Sequence, residues 1–221
     1  MRERVRIEWK YAGKNDFSSG TGAYASEKAL AWLAALAAPG FLVLLAWRQA
    51  VDWNAVQYAV ALLLALDVGG GLVSNALNSC KRFYHTPPKK QEGPLGAVLK
   101  NPAIFAALHV HPIVVGWLHG QGNWTFGLAW YGLYLGSVAL VLLTPLYLKR
   151  PVSMLLIMAA FLVNSYAIAP VAGFEWLMPL LWIKIVYGHL VREEPYRKPA
   201  KKGEERVEND SAHDGPPVLG Q

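Results

Sequence analysis

Residues 54–78 read NAVQYAVALLLALDVGGGLVSNALN. Ala55 to Leu66 is apolar except for Gln57 and Tyr58; Asp67 follows, then Gly69, Gly70, Gly71, Ser74, Asn75 and Asn78. A block of this length suits the ~20 residues that a helix needs to cross ~30 Å of hydrocarbon. The acid is costly there. An Asp near mid-helix disfavours insertion by about 2.5–3.5 kcal/mol, whereas each Leu or Val returns roughly 0.3–0.6 kcal/mol. The leucines and valines therefore offset Asp67 with little margin for the glycines and asparagines. Asp67, Gly71, Ser74 and Asn78 recur at i, i+4, i+7 and i+11, with Gly70 and Asn75 beside them, which is one continuous helical stripe. That stripe is expected to face a bundle interior or a wet cavity, where an ionisable intramembrane group marks a functional site.

Working outward, five further apolar blocks are readable, at about 27–47, 102–119, 124–148, 151–169 and 174–191. The expected fold is all-α: a polytopic integral membrane protein with a bundle of six transmembrane helices. Of the 21 Lys and Arg, six lie at or before the start of the first block, five between the second and third, two between the fourth and fifth, and six after the last. The alternate connections carry only Arg48. This alternation fits the positive-inside rule for an even number of crossings, with both termini cytoplasmic and the chain in a cell membrane. It assigns the net charge of +6 to topology and anionic lipid, with membrane lipid as partner and no nucleic acid.

The chain divides into a cytoplasmic N-terminal segment (1–25), a transmembrane domain (26–191) and a charged, apolar-poor tail (192–221) expected to be disordered. Residues 1–11 alternate charge with Val5, Ile7, Trp9 and Tyr11, the period of a short strand or interfacial segment. Ser18–Gly22 reads as a flexible linker, since no Lys-Ser/Thr follows to make a phosphate loop. Ser26, Asp52 or Asn54, Asn101-Pro102 and Asn123 are helix-start signals. Cys80 is the single cysteine, so no intrachain disulfide and no paired-cysteine metal site can form.

Histidine supplies partners for Asp67. With the second helix running inward, the third outward and the sixth inward, Asn75, Asn78, His85, His109, His111 and His189 share the cytoplasmic half. At 1.5 Å per residue, Asp67 and His109 sit at depths that let them meet. On a regular helix His109 and His111 point about 200° apart, so a shared site requires a departure from the helix; Pro112 permits one. Imidazoles with a buried carboxylate suit Fe, Zn or Mn. The tentative ligand set is Asp67, His85, His109, His111 and His189. His-x-x-x-His boxes, which would place two ligands on one helical face, are absent. His119 and Glu175 fall at the outer surface and are set aside.

The leading functional expectation is a membrane-embedded enzyme acting on a lipid or other membrane-soluble substrate. Asp67, His85, His109 and His111 would be its acid–base groups or ligands. Asn75 and Asn78 would orient substrate, and a basic patch of Lys81, Arg82, Lys89 and Lys90 would hold an anionic headgroup. Lys184, mid-way through the sixth block, would line the site or pair structurally with Asp67. Two alternatives stand beside it: a proton-coupled transporter or channel using Asp67 and a nearby His, and a non-catalytic scaffold recruiting partners through its basic termini. Oligomeric state is not readable from the sequence.

Overall fold

The computed structural model describes residues 6–10, 15–48 and 51–198, and the fold is mainly helical. Two long helices form the first layer, α1 (Ala25–Trp47) and α2 (Ala55–Ser74). Asn54 caps α2 by accepting from the Val56 and Gln57 amides, while Gln57 Oε1 accepts from the Asn54 amide. α1 starts behind Tyr24 rather than Ser26, because the Glu27 carboxylate reaches back to the Tyr24 amide at 2.8 Å and satisfies an orphan donor. The helices run antiparallel in close contact. A Cβ on Gly69 would stand 2.7 Å from the Ala34 carbonyl oxygen, and one on Gly70 2.9 Å from Ala35 Cβ. Two of the three consecutive glycines thus let the α1 backbone approach.

Past α3 (Asn78–Tyr84) and α4 (Gly93–Lys100), the third apolar block is broken into α5 (Pro102–Ala107) and α6 (His111–Leu118). Asn101 caps α5 through the Ala103 and Ile104 amides, with Pro102 at the first helical position. The break falls just before Pro112, which has no N–H to donate back to Leu108. The neighbouring carbonyls find side chains instead. His109 Nδ1 donates to Phe105 O at 2.8 Å, Tyr134 Oη to Ala106 O at 3.0 Å and Tyr131 Oη to Ala107 O at 2.7 Å. Irregular backbone is tolerated in an apolar setting when its polar groups are met in this way.

α7 (Trp124–Leu143) and α8 (Lys149–Tyr166) follow, α7 being capped by Asn123 as expected. The last helical stretch is α9 (Leu177–Leu181), continuing directly into a π-helix at Trp182–His189. It is the centre of the core. Leu177, Met178, Leu181, Trp182, Ile185 and Val186 are all buried, against residues such as Val68, Trp130 and Tyr134.

Among the described residues, four helices are long and apolar enough to cross a membrane: Ala25–Trp47, Ala55–Ser74, Trp124–Leu143 and Leu146–Tyr166. A fifth is obtained if Gly93–Lys100 and Pro102–Leu118, bent by 81°, make one crossing. The sixth block of the sequence reading is not a long lipid-facing helix. It divides into pieces of 5 and 8 residues wrapped by protein. The long helices turn large apolar side chains outward, Leu33, Leu63 and Leu143 among them, as a hydrocarbon solvent requires.

Both ends of the described chain are ordered against this bundle. β2 (Asn15–Asp16) pairs with β3 (Gly20–Thr21) in a hairpin, so the stretch read as a flexible linker is a built turn. Gly20 has φ +78°, and a Cβ there would collide with the backbone of Ser79 and Cys80. β1 (Arg6–Ile7) pairs antiparallel with β4 (Tyr196–Arg197). Residues 192–198, expected to be disordered, therefore fold back: Arg192 covers the Trp9 ring, and Arg197 Nε meets Glu8 Oε2 at 2.8 Å. The rest of the tail expected to be disordered, 199–221, lies outside the described residues.

Candidate functional site

Asp67 is where three elements converge. Its Oδ2 lies 2.5 Å from Lys184 Nζ, on the π-helix, and 2.8 Å from His111 Nε2, at the start of α6. No other described side chain reaches this carboxylate, so Oδ1 has no donor. The pair is asymmetric: the Lys184 side chain is 2% exposed and the Asp67 side chain 50%. An ammonium so buried needs the carboxylate. Beside it, Asn75 Nδ2 donates to Lys184 O at 3.1 Å, tying α2 to the π-helix.

The break before Pro112 does what the sequence reading required of it. His109 and His111 no longer point apart; their rings stack at 5.2 Å with planes 12° from parallel. His109 is committed through Nδ1 to Phe105 O, so it neighbours His111 without reaching Asp67. Phe105 stacks on His189 at 4.1 Å and contacts His109 at 4.9 Å. His85 bonds to the His189 backbone. The histidines therefore form a file, His111, His109, His189 and His85, with Phe105 between the second and third. His111 Nδ1, His189 Nδ1 and His85 Nε2 are buried with no hydrogen-bond partner among the described residues.

Among the described residues no three His, Cys, Asp or Glu side chains converge as a metal ion would need. The expected ligand set of Asp67, His85, His109, His111 and His189 is not gathered on one point there: His109 and His111 meet ring face to ring face, and His109 Nδ1 is held by Phe105 O.

Two of the four residues of the basic patch are not at the surface. Lys81 and Arg82 are only 2% and 1% exposed. Lys81 Nζ donates to the carbonyls of Gly188 at 2.5 Å and Val191 at 2.8 Å, at the end of the last helix, with Glu193 3.7 Å away. Burial pulls its pKa down to about 8, against the opposing pull of Glu193. Arg82 Nε donates to Thr21 O at 3.0 Å, fastening the hairpin to α3. Both cations stitch backbone together and neither offers a headgroup site. Asn78 is likewise structural, its Oδ1 accepting from the Tyr196 amide at 2.9 Å. His119 sits apart from Asp67, packed between Trp53 and Phe174.

Asp67 and Lys184 line a cavity of about 510 Å³. Its walls are Ala31, Trp32 and Ala35 of α1, Leu66, Gly70 and Gly71 of α2, with Tyr84, Leu99 and Phe105 opposite. Ser74 and Asn75 add polar atoms, and the hairpin closes one side with Asp16, Ser18 and Ser19. The sequence reading missed these hairpin residues. The signal was present: an Asp followed by Ser at the second and third positions makes an Asx turn. Asp16 Oδ1 accepts from the Ser18 amide at 2.8 Å and from the Ser18 hydroxyl at 2.6 Å, while Oδ2 accepts from the Ser19 hydroxyl at 2.7 Å. Burial opposes ionisation of Asp16, but these bonds outweigh it and hold the carboxyl below the usual carboxylate range. The size and make-up, apolar walls with a few convergent polar groups, are those of a small-molecule site.

Compared with known protein families, curated proteins and solved structures, the chain matches none of them. Fold and site together define a class: a helical protein with, among its described residues, four to five helices apolar enough to cross a membrane and a cavity with a Lys–Asp–His cluster at one wall.

Proposed function

We propose that the protein is a membrane-embedded enzyme that transfers protons at Asp67 to and from a lipid or other membrane-soluble substrate. The supporting observation is that one carboxylate stands between a largely apolar cavity and an imidazole. Asp67 lines the cavity, its Oδ1 accepts from no described side chain, and its Oδ2 is shared by Lys184 and His111. A general base must lie within hydrogen-bond reach of the proton it takes, and Asp67 meets that condition for a ligand in the cavity. Lys184 compensates the carboxylate charge, and His111 is the second carrier, with Nδ1 buried and unpartnered. No metal enters the proposal. The working topology is six crossings with both termini cytoplasmic, the central α9 and π-helix counting as the sixth, and the cavity opens toward the inner leaflet.

The test is conversion of lipid. Protein reconstituted in nanodiscs is incubated with a total lipid extract, and products are profiled by mass spectrometry. Asp67→Asn and His111→Gln should each abolish a conversion seen with wild type, while Lys90→Met on the outer loop surface leaves it intact. If wild type converts nothing, or Asp67→Asn converts as well as wild type, the reading falls.

One observation favours a second reading. The file of imidazoles from His111 to His85 runs past Phe105 and Tyr84 of the cavity wall, which suits proton-coupled transport. Proton uptake into proteoliposomes, lost in Asp67→Asn and in His189→Phe, would support that reading over catalysis.

A further inference from the structure

The cavity also selects its occupant, and this step rests on the proposed reading of Asp67 as the group that meets substrate. An anionic ligand is disfavoured, because both cations on the cavity wall are already engaged, Lys184 by Asp67 Oδ2 at 2.5 Å and Lys28 by Asp16 Oδ2 at 3.5 Å, and Asp67 Oδ1 accepts from no described side chain. A cationic ligand is disfavoured in turn, since Lys184 already balances Asp67 and Lys28 balances Asp16. What remains is a neutral hydrogen-bond donor. The surroundings specify its body. Trp32, Leu66, Leu99 and Phe105 wall the space, and Trp32 is 61% exposed, so at this side the wall is open to whatever surrounds the helix. A hydrocarbon chain can leave the cavity there along Trp32 and Leu66. Ser74, about two turns beyond Asp67 on the same stripe, adds a hydroxyl to the same wall that can accept or donate.

We infer that the cavity binds a lipid alcohol, a long-chain or ring-bodied neutral lipid whose hydroxyl donates to Asp67 Oδ1 while its hydrocarbon runs past Trp32 and Leu66 into the bilayer. The hydroxyl is the group that the enzyme handles.

The experiment is equilibrium binding of radiolabelled dodecan-1-ol to the full chain in nanodiscs, beside dodecanoic acid and dodecyl methyl ether. One hydrogen bond and one avoided repulsion predict saturable binding of the alcohol about tenfold tighter than of either analogue. Asp67→Asn should erase the preference. Should that variant fail to fold, Leu66→Trp, at a partly exposed wall position, should weaken alcohol binding while the melting transition is kept. Equal or tighter binding of the acid or the ether overturns the inference, as does an alcohol that binds Leu66→Trp as well as wild type. Failure here is separable from failure of the enzyme reading: Asp67-dependent lipid conversion without alcohol preference removes the ligand class alone, and alcohol preference without any conversion removes the enzyme alone.

Discussion

Gly71 makes room for Lys184: a Cβ on Gly71 would collide with Lys184 Cε, the atom that carries the ammonium to Asp67. The third glycine of the triplet is thus a site residue, whereas the first two serve helix packing. Two glycines let helices approach; the third admits a cation.

That relationship predicts coupling among positions 67, 71 and 184. Gly71→Ala should displace the flexible end of Lys184 and break the pair while leaving the backbone in place. Asp67→Asn should destabilise the protein by on the order of 2 kcal/mol, less than the roughly 3–5 kcal/mol of a fully buried pair because Asp67 is half exposed. Asp67→Asn added to Gly71→Ala should then cost little more, and Asp67→Asn/Lys184→Met should recover much of the loss, since no buried charge remains. Unfolding in detergent micelles measures the cycle. Additive effects would show that Lys184 does not depend on Asp67.

His85 makes the fold acid-sensitive. Burial first, then the Lys81 cation, lowers its pKa from 6.5 to about 4, and His189, Lys81, Arg192 and Lys149 surround it. A base with a lowered folded pKa binds fewer protons folded than unfolded, so stability is complete above pH 6.5. It falls as pH drops from 6.5 toward 4, by up to about 3 kcal/mol for this group. His85→Gln, which cannot titrate, should flatten the melting temperature across that window. Parallel curves for the variant and wild type would contradict the assignment.

Much of this was legible. Asp67 announced itself because an acid in an apolar block needs a partner, and both partners, Lys184 and His111, were among the few polar residues available at that depth. The caps at Asn54, Asn101 and Asn123 were readable because a side-chain oxygen before an apolar run has one main use. What was not legible is long-range backbone satisfaction. Lys81 and Arg82 look like a surface patch in one dimension and become buried clamps only because carbonyls from Gly188, Val191 and Thr21 arrive from distant segments. The π-helix has no sequence signature, so the sixth block reads as a plain crossing. Stacking of His109 on His111 was foreseeable only as a condition on Pro112, since sequence tells where a helix can break and not which way it turns.

The clamp at Lys81 has its own consequence. Its ammonium meets two carbonyls where the last helix ends, an end that carries partial negative charge. Lys81→Met would strand both, and at about 1.5–3 kcal/mol per charged hydrogen bond the loss is several kcal/mol, so folded yield should drop sharply. Lys90→Met, at an exposed position, should leave yield unchanged. If the two variants behave alike, with loss of binding to anionic vesicles as their shared effect, the basic patch would be a lipid site after all.

Cys80 offers a direct route to the orientation of the chain. It is 1% exposed, and burial pushes its thiol up to about 12, so little thiolate is present at neutral pH. Native protein should therefore resist a maleimide that modifies it once unfolded, and the wild type serves as its own unreactive background. Asp52→Cys, in the exposed connection between α1 and α2, and Lys90→Cys, in the loop before α4, then report opposite faces. With both termini cytoplasmic, an impermeant maleimide added outside intact cells should label Asp52→Cys and spare Lys90→Cys until the membrane is opened. The reverse pattern would invert the topology and place the Asp67 cavity toward the other leaflet. Labelling of both from one side would mean that α2 does not cross, which its apolar length and outward-facing leucines argue against.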